Sequence, residues 1–348
     1  MKRKDFLSSS ASLFAGAALP YFKEKQISSL ENETDLGSAL PLIPPYLKKG
    51  DTIGITSPAG YITVEEIQPA IKCIENWGFK IKIGETIGKR NFTYGGSDEE
   101  RTKDLQQMLD DKRIRAIMCA RGGYGAIRII DKLKWEKFKI KPKWIIGFSD
   151  VTVIHSHLNK NLGIASIHSK MCNSFPDDWD KADPMQVETI NSIQKALSGE
   201  KLKYDINCNM QNKPGIATGV LVGGNLKTLE SLAASRSDIN TTGKILFVED
   251  TGEYMYSIDR MFWNLKRGGK LSGLKGLIVG GFKVKVDNGD DDFGKTLEEV
   301  VLEKVRSYNY PVCFDFPVGH QKNNFALKCG VKHKLVVQPQ QCVFTEMP

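Results

Sequence analysis

The passage Lys143-Trp-Ile-Ile-Gly-Phe-Ser-Asp-Val-Thr152 leaves this chain few ways to fold. Trp144 to Ile146 is an apolar run that reads as a buried strand. Gly147 breaks it, and Val151, Ile154, Leu158 and Leu162 then recur at helical spacing. Strand, tight turn and helix place Ser149 on a turn above a helix amino end. Unpaired backbone N–H groups gather there and can receive a developing oxyanion. The turn has the geometry of a nucleophile elbow without the G-x-S-x-G of α/β-hydrolases, because Val151 stands where the second glycine would be. Taken alone, Ser149-Asp150 reads first as a simple helix cap.

The same alternation runs through the first half. Asp51 to Thr56 is a strand, Ser57-Pro-Ala-Gly60 a turn, and Thr63-x-x-Glu66 a capping box before Ile67, Ile71 and Ile74. Phe79 to Ile83 is the next strand, and Ser97-x-x-Glu100 caps a helix through Leu105 and Leu109. Ile114 to Cys119 is a strand, followed by Arg121-Gly-Gly-Tyr-Gly125 and a helix from Ala126. This rhythm predicts an α/β fold whose N-terminal domain is a mostly parallel, doubly wound, Rossmann-like sheet. Such sheets bind ligands at the carboxyl ends of their strands. The turns at 57–60, 121–125 and 147–150 all fall there and are expected on one edge. The paired glycines 122 and 123 let backbone amides approach a ligand, or else form a plain turn. They belong to neither a dinucleotide fingerprint nor a P-loop.

The second half predicts a smaller α/β domain. Val220 and Val222 form a strand, Gly223-Gly224 turn, and Asn225 caps a helix carrying Leu226, Leu229 and Leu232. Ile245 to Val248 is a strand ending in Glu249-Asp250. A helix follows from about Ser257, with further strands at 277–279 and 312–314 and a helix over 297–308. Pro317-Val-Gly-His320 turns out of the last of these, and a short antiparallel tail closes the chain. The expected boundaries are a signal segment at 1–20, a linker at 21–45, a nucleophile domain at 46–175, a connection at 176–215 and a second domain at 216–348.

At 41% hydrophobic and 26% charged, the chain has core enough for these domains. Its net charge of +8 comes without like-charge runs or an aromatic-interleaved basic stripe, so nucleic acid is not an expected partner. Lys2, Arg3 and Lys4, an apolar stretch from Phe6 to Leu19 and Ala15-Gly-Ala17 have the order of an export signal. The stretch is too short to span a bilayer. The expected location is therefore periplasmic, with no stable membrane insertion once the signal is removed; an uncleaved start on a cytoplasmic protein is the alternative. The string at residues 3–7 resembles a twin-arginine signal, with Lys4 in place of the second arginine. Seven scattered cysteines contain no C-x-x-C and read as buried thiols without a disulfide framework. His155 and His157 are i,i+2 on a helix and point apart, and His168 adds no compatible spacing, so no metal and no cofactor are predicted. The acidic stretch at 287–294 lacks EF-hand spacing and reads as a solvated loop.

Ser149, Glu249 and His320 each fall on a turn or strand end. They could form a nucleophile, orienting acid and base. The motifs at 50–60, 121–130, 145–152, 219–229, 245–261 and 314–320 together resemble the L,D-carboxypeptidases, serine peptidases that include muramoyl-tetrapeptide carboxypeptidase and the microcin C self-immunity proteins. The resemblance runs from about Pro45 to Gly330. It implies Ser149 as nucleophile, Glu249 as triad acid, His320 as base, and an oxyanion hole of the Asp150 amide with that of Gly122 or Gly123. It also implies two domains facing each other across the cleft, and hydrolysis of the amide to a terminal D-amino acid such as D-Ala of a murein tetrapeptide. A free substrate carboxylate needs donors, for which Arg121, Tyr124 and the amino end of the helix after Asn225 are candidates. The partner would be a murein peptide or related small peptide, with a homodimer as the candidate assembly. A microcin-type amidase and a catalytically inactive peptide-binding module are the alternatives. One departure is Lys170, at a position where many members have proline.

Overall fold

A computed structural model describes residues 41–286 and 293–348. The expected signal, most of the linker, and all but the end of the acidic loop lie outside the described residues. In chain order the first half is β1 (Thr52–Thr56), α1 (Gln68–Asn76), β2 (Lys80–Ile83), α2 (Asp98–Asp110), β3 (Ile114–Cys119), α3 (Ala126–Ile129), α4 (Glu136–Ile140), β4 (Trp144–Gly147), α5 (Thr152–His157) and β5 (Ser166–His168). Then come α6 (Pro184–Ser198), β6 (Lys203–Ile206), β7 (Gly215–Asn225), α7 (Leu226–Ser231), β8 (Ile245–Tyr254), α8 (Met255–Arg267), β9 (Gly276–Lys285), α9 (Leu297–Val305), β10 (Val312–Cys313), β11 (Leu327–Cys329), β12 (Lys332–Val337) and β13 (Cys342–Glu346).

The strands form two sheets, the first ordered β11-β5-β4-β3-β1-β2 and the second β10-β9-β8-β7-β12-β13-β6. In the first, every pairing is parallel except that of β11 with β5. In the second, β10, β9, β8 and β7 are parallel and the remaining pairings antiparallel. The α/β class and the parallel first sheet are as the sequence rhythm requires. Alternate residues of β4 feed opposite cores, since successive side chains of a strand point to opposite faces. Trp144 and Ile146 pack with α1 and α6, while Ile145 packs with α2, α4 and α5. Burial on both faces explains why this strand reads as an unbroken apolar run.

Local chemistry sets the helix starts. Ser97 and Glu100 form the reciprocal capping box of α2, whose first turn carries Asp98, Glu99 and Glu100. Thr63 and Glu66 also bond reciprocally, but they close a turn, and α1 begins at Gln68 with proline in its first turn. The segment expected as a connection is well anchored. Ile190, Ile193, Ala196 and Leu197 of α6 join the first core, and β6 edges the second sheet. The end of the expected linker is held too, since Leu42 donates its N–H to the Gly163 carbonyl at 2.7 Å. All seven cysteines are free, with Cys208 alone exposed. No helix among the described residues is long and apolar enough to cross a membrane.

Candidate active site

The turns at the carboxyl ends of β1, β3 and β4 converge and are bolted together by two buried ionic side chains. Arg101 of α2, fully buried, donates to the carbonyls of Pro58 at 2.5 Å and Gly125 at 2.8 Å, and pairs with Asp98 at 2.5 Å. One guanidinium thus ties the first turn to the second. Asp150 ties the second to the third, since its carboxylate accepts the Ala126 N–H at 2.8 Å. Burial pushes the Asp150 carboxyl up to about 6, against the opposing pull of that N–H and of Arg101. Between the first two turns, the Gly60 N–H donates to the Gly122 carbonyl at 2.8 Å.

Ser149 stands on this platform with a φ of 62°, in the left-handed region that non-glycine residues seldom occupy. The chain leaves β4, passes through extended Phe148, and enters a 3-10 turn over Ser149–Val151 that leads into α5. Such strain persists only where the surroundings over-determine it. Here they include His155, whose Nε2–H donates to the Gly147 carbonyl at 2.8 Å and whose Nδ1 meets the Ser166 hydroxyl at 2.9 Å. Burial pushes His155 down to about 3, so the ring is neutral at physiological pH. Gly122 faces the serine. A Cβ at Gly122 would lie 2.9 Å from the Ser149 Cβ and 3.1 Å from its Oγ, so only glycine leaves that hydroxyl room. The amides of Gly122, Gly123 and Asp150 donate to no acceptor among the described residues.

Glu249 lies at a register shift in β8, between Val248 and Asp250, and is fully buried. A bulge re-aims a strand side chain. Its Oε2 accepts from His320 Nδ1 at 2.6 Å. Burial alone would raise the Glu249 carboxyl, but the imidazoles of His168 and His320 outweigh it and hold it below the usual carboxylate range. Gly319, at a φ of 97°, permits the approach of the His320 turn, because a Cβ there would sit 2.3 Å from the Glu249 Cβ. The Phe148 ring packs on the His320 ring at 4.9 Å between centroids. Ser149 is therefore the immediate chain neighbour of a residue that touches the imidazole. Its hydroxyl makes no hydrogen bond to His320; in serine hydrolases that bond often tightens only in the Michaelis complex.

The substrate candidates fall in two places. Arg121 donates to the Tyr61 carbonyl at 3.0 Å and lines, with Tyr124, Gly123, Gly60, Arg90 and Phe92, a cavity of about 380 Å³ beside the paired glycines. Asn225 does not line that cavity; it pairs with Glu249 across β7 and β8, and its N–H donates to the Thr152 hydroxyl at 3.0 Å. Its Oδ1 accepts the Thr228 N–H at 3.0 Å as the cap of α7, and its Nδ2 donates to Asp250 at 2.9 Å. Asp250 also accepts the N–H groups of Lys227 at 2.9 Å and Thr251 at 2.7 Å, and burial pushes it up to about 6.

Among the described residues no cluster of histidine, cysteine and acidic side chains could hold a metal. The bracing roles of Arg101, Asp150 and Asp250 were not legible in the chain. An arginine in the polar first half of a helix announces nothing, although both candidate positions are followed by aspartate, Ser149-Asp150 and Glu249-Asp250.

Residues 53–169 match the LD-carboxypeptidase N-terminal domain and residues 218–335 the LD-carboxypeptidase C-terminal domain. The chain is 32% identical over 291 residues to the probable murein peptide carboxypeptidase of Bacillus subtilis (strain 168), covering 83% of this chain and 90% of that one. It is 25% identical over 283 residues to the murein tetrapeptide carboxypeptidase of Pseudomonas aeruginosa, covering 80% and 91%. Among solved structures, muramoyltetrapeptide carboxypeptidase from Oxalobacter formigenes superposes with a TM-score of 0.75 at 25% identity, covering 85% of this chain and 99% of that one. MccF in complex with glutamyl sulfamoyl guanosine shares the fold, with a TM-score of 0.76 at 23% identity over 89% and 99% of the two chains.

Proposed function

The chain belongs to the LD-carboxypeptidase family of hydrolases, and on that footing we propose that it is a serine carboxypeptidase that removes a terminal D-amino acid, D-Ala, from murein tetrapeptide by an acyl-enzyme route. The observation that carries this reading is the 2.6 Å pair of buried Glu249 and His320, packed against the neighbour of a serine on a strained turn. Ser149 Oγ attacks the carbonyl of the L-centre while His320 takes its proton at Nε2. Glu249 at Nδ1 fixes the tautomer and stabilises the imidazolium. The oxyanion draws on the Asp150 amide and that of Gly122 or Gly123, which have no other acceptor. His320 then returns the proton to the departing D-Ala amine, and water activated by the same imidazole hydrolyses the Ser149 ester. The leaving carboxylate would face Arg121 and Tyr124 at the cavity beside the glycines.

The test is release of D-Ala from L-Ala-D-Glu-diaminopimelate-D-Ala. Wild type turns over, and Ser149→Ala binds the peptide without cleaving it. Unchanged turnover in that variant removes Ser149 from its role, and peptide binding without turnover in wild type leaves a binding module. The fold shared with MccF supports a second reading, a microcin-type amidase. Aspartyl sulfamoyl adenosine, the compound in one MccF structure, offered in competition with the tetrapeptide separates the two by relative kcat/KM. We also propose export directed by residues 1–17; cell fractionation that leaves the full-length chain in the cytoplasm rejects it.

A further inference from the structure

Glu249 is faced by a second imidazole. His168, at the end of β5, is fully buried, and its Nε2 lies 3.9 Å from Glu249 Oε1. That separation is about 1 Å longer than a hydrogen bond. Both His168 ring nitrogens and Glu249 Oε1 lack a hydrogen-bond partner, in a site closed to bulk water. Unpaired polar atoms at zero exposure are rare and costly in folded proteins, and here a potential donor and an acceptor face each other. The ring cannot turn away, since it is packed against Phe247 at 5.0 Å, Phe148 at 5.8 Å and His155 at 6.3 Å.

Other histidines have other work. His155 is held by Ser166 and Gly147, His157 meets Ser237 at 2.9 Å, and His333 meets the Val331 carbonyl at 2.9 Å. Only His168 and His320 address Glu249. The strand register explains the placement, because His168 pairs with Gly147, two residues before Ser149. The nucleophile's own sheet thus sends a side chain to the acid on the other sheet.

We propose that His168 is a positioning residue of the active site. Its Nε2–H donates to Glu249 Oε1 in the working enzyme, so that the carboxylate is clamped between two imidazoles, with Oε2 held on His320. This rests on the reading of Glu249 and His320 as acid and base. With the donor present, Glu249 stays ionised and cannot rotate to exchange its oxygens. Without it, the carboxylate binds a proton more strongly, and the His320–Glu249 pair takes up its proton at higher pH. The other titratable groups facing this spot are His155 on α5, Asp250 on β8 and Cys329 on β11, beside His168. They are unaltered in the comparison.

The experiment is a ¹⁵N-histidine NMR titration of the full chain as wild type, His168→Phe and His168→Gln, with kinetics on the tetrapeptide alongside. His168→Phe keeps the ring volume and removes the donor; His168→Gln restores a donor. In His168→Phe the midpoint of proton uptake by the pair is expected to rise by about one to two pH units. The kcat is expected to fall about 10- to 100-fold with KM within about twofold. His168→Gln recovers most of both. An unmoved midpoint in His168→Phe, or a Gln variant no better than Phe, makes the ring a packing element and overturns the proposal. The titration needs no turnover. A protein that ignores the tetrapeptide but shows the shift refutes the substrate and keeps the clamp; one that cleaves it without the shift does the reverse.

Discussion

Phe148-Ser149-Asp150 and Val248-Glu249-Asp250 stand at strand ends in different sheets and solve one problem by opposite means. In each, the aspartate after the functional residue turns inward and accepts the N–H of a residue opening the neighbouring helix, Ala126 for Asp150 and Lys227 for Asp250. In each, burial raises that carboxyl to about 6. The two sites part at the functional side chain. Ser149 is aimed by backbone strain, a left-handed residue held on a crowded turn. Glu249 is aimed by the ladder, a register shift in a long strand. A nucleophile must protrude and be approached from above, which favours a bent chain. An orienting acid must be immovable and dry, which favours the middle of a sheet.

The comparison breaks or sharpens in four ways. Ser149→Ala should cost on the order of 10⁶-fold in kcat for D-Ala release and Glu249→Gln about 10⁴-fold, because in the proposed mechanism the acid orients a reaction that the hydroxyl performs. Equal losses would erase the distinction between performing and orienting. Gly319→Ala should destabilise by about 3–5 kcal/mol in urea unfolding, since a side chain at φ 97° would meet Glu249 at 2.3 Å. A variant as stable as wild type would mean that the His320 turn shifts freely. Gly122→Ala should destabilise less than Gly319→Ala, by about 1–3 kcal/mol, and lower kcat about 10²- to 10³-fold, because its methyl group crowds Ser149. Normal turnover there would place the oxyanion elsewhere.

The smallest effect concerns the paired aspartates. Each takes up its proton near pH 6 when folded and near 3.8 when unfolded. Between those values the folded state holds the extra proton, so stability falls as pH rises from about 4 to about 6 and is level above. Asp150→Asn and Asp250→Asn should each remove about 3 kcal/mol of that fall in denaturation curves taken across the window. Asp150→Asn alone should also lower kcat, because its carboxylate holds the turn bearing the paired glycines. Slopes identical to wild type would refute the shared burial argument.

The parts written in local chemistry were legible from the chain. Trp144 to Ile146 announced a strand buried on both faces, Ser97 and Glu100 a helix start, and Gly147 before Ser149 the elbow. Glu249 was legible as a strand end and His320 as a turn residue, and the family resemblance joined them with Ser149. What escaped depends on distant partners. Arg101 sits among polar neighbours on α2 and reveals its task only where Pro58 and Gly125 meet it. Asn225 was legible as a helix cap, but its bond to Asp250 and its place opposite Glu249 were not. His168 was read against metal spacing, and only the β4–β5 register brings it to Glu249. β11, at Leu327–Cys329, is too short to show a period and joins the first sheet from far along the chain.

That short strand decides when the enzyme can first exist. Leu327 pairs with His168, so the border of the sheet carrying Ser149 is supplied by residues that follow His320. During translation, the first sheet emerges with β5 unpaired on that side and must wait for more than a hundred further residues before its rim is sealed. No proteolytic product ending before residue 327 can hold a finished first sheet, whatever else it retains. The sheet that carries Ser149 is therefore completed only by the last stretch of the chain.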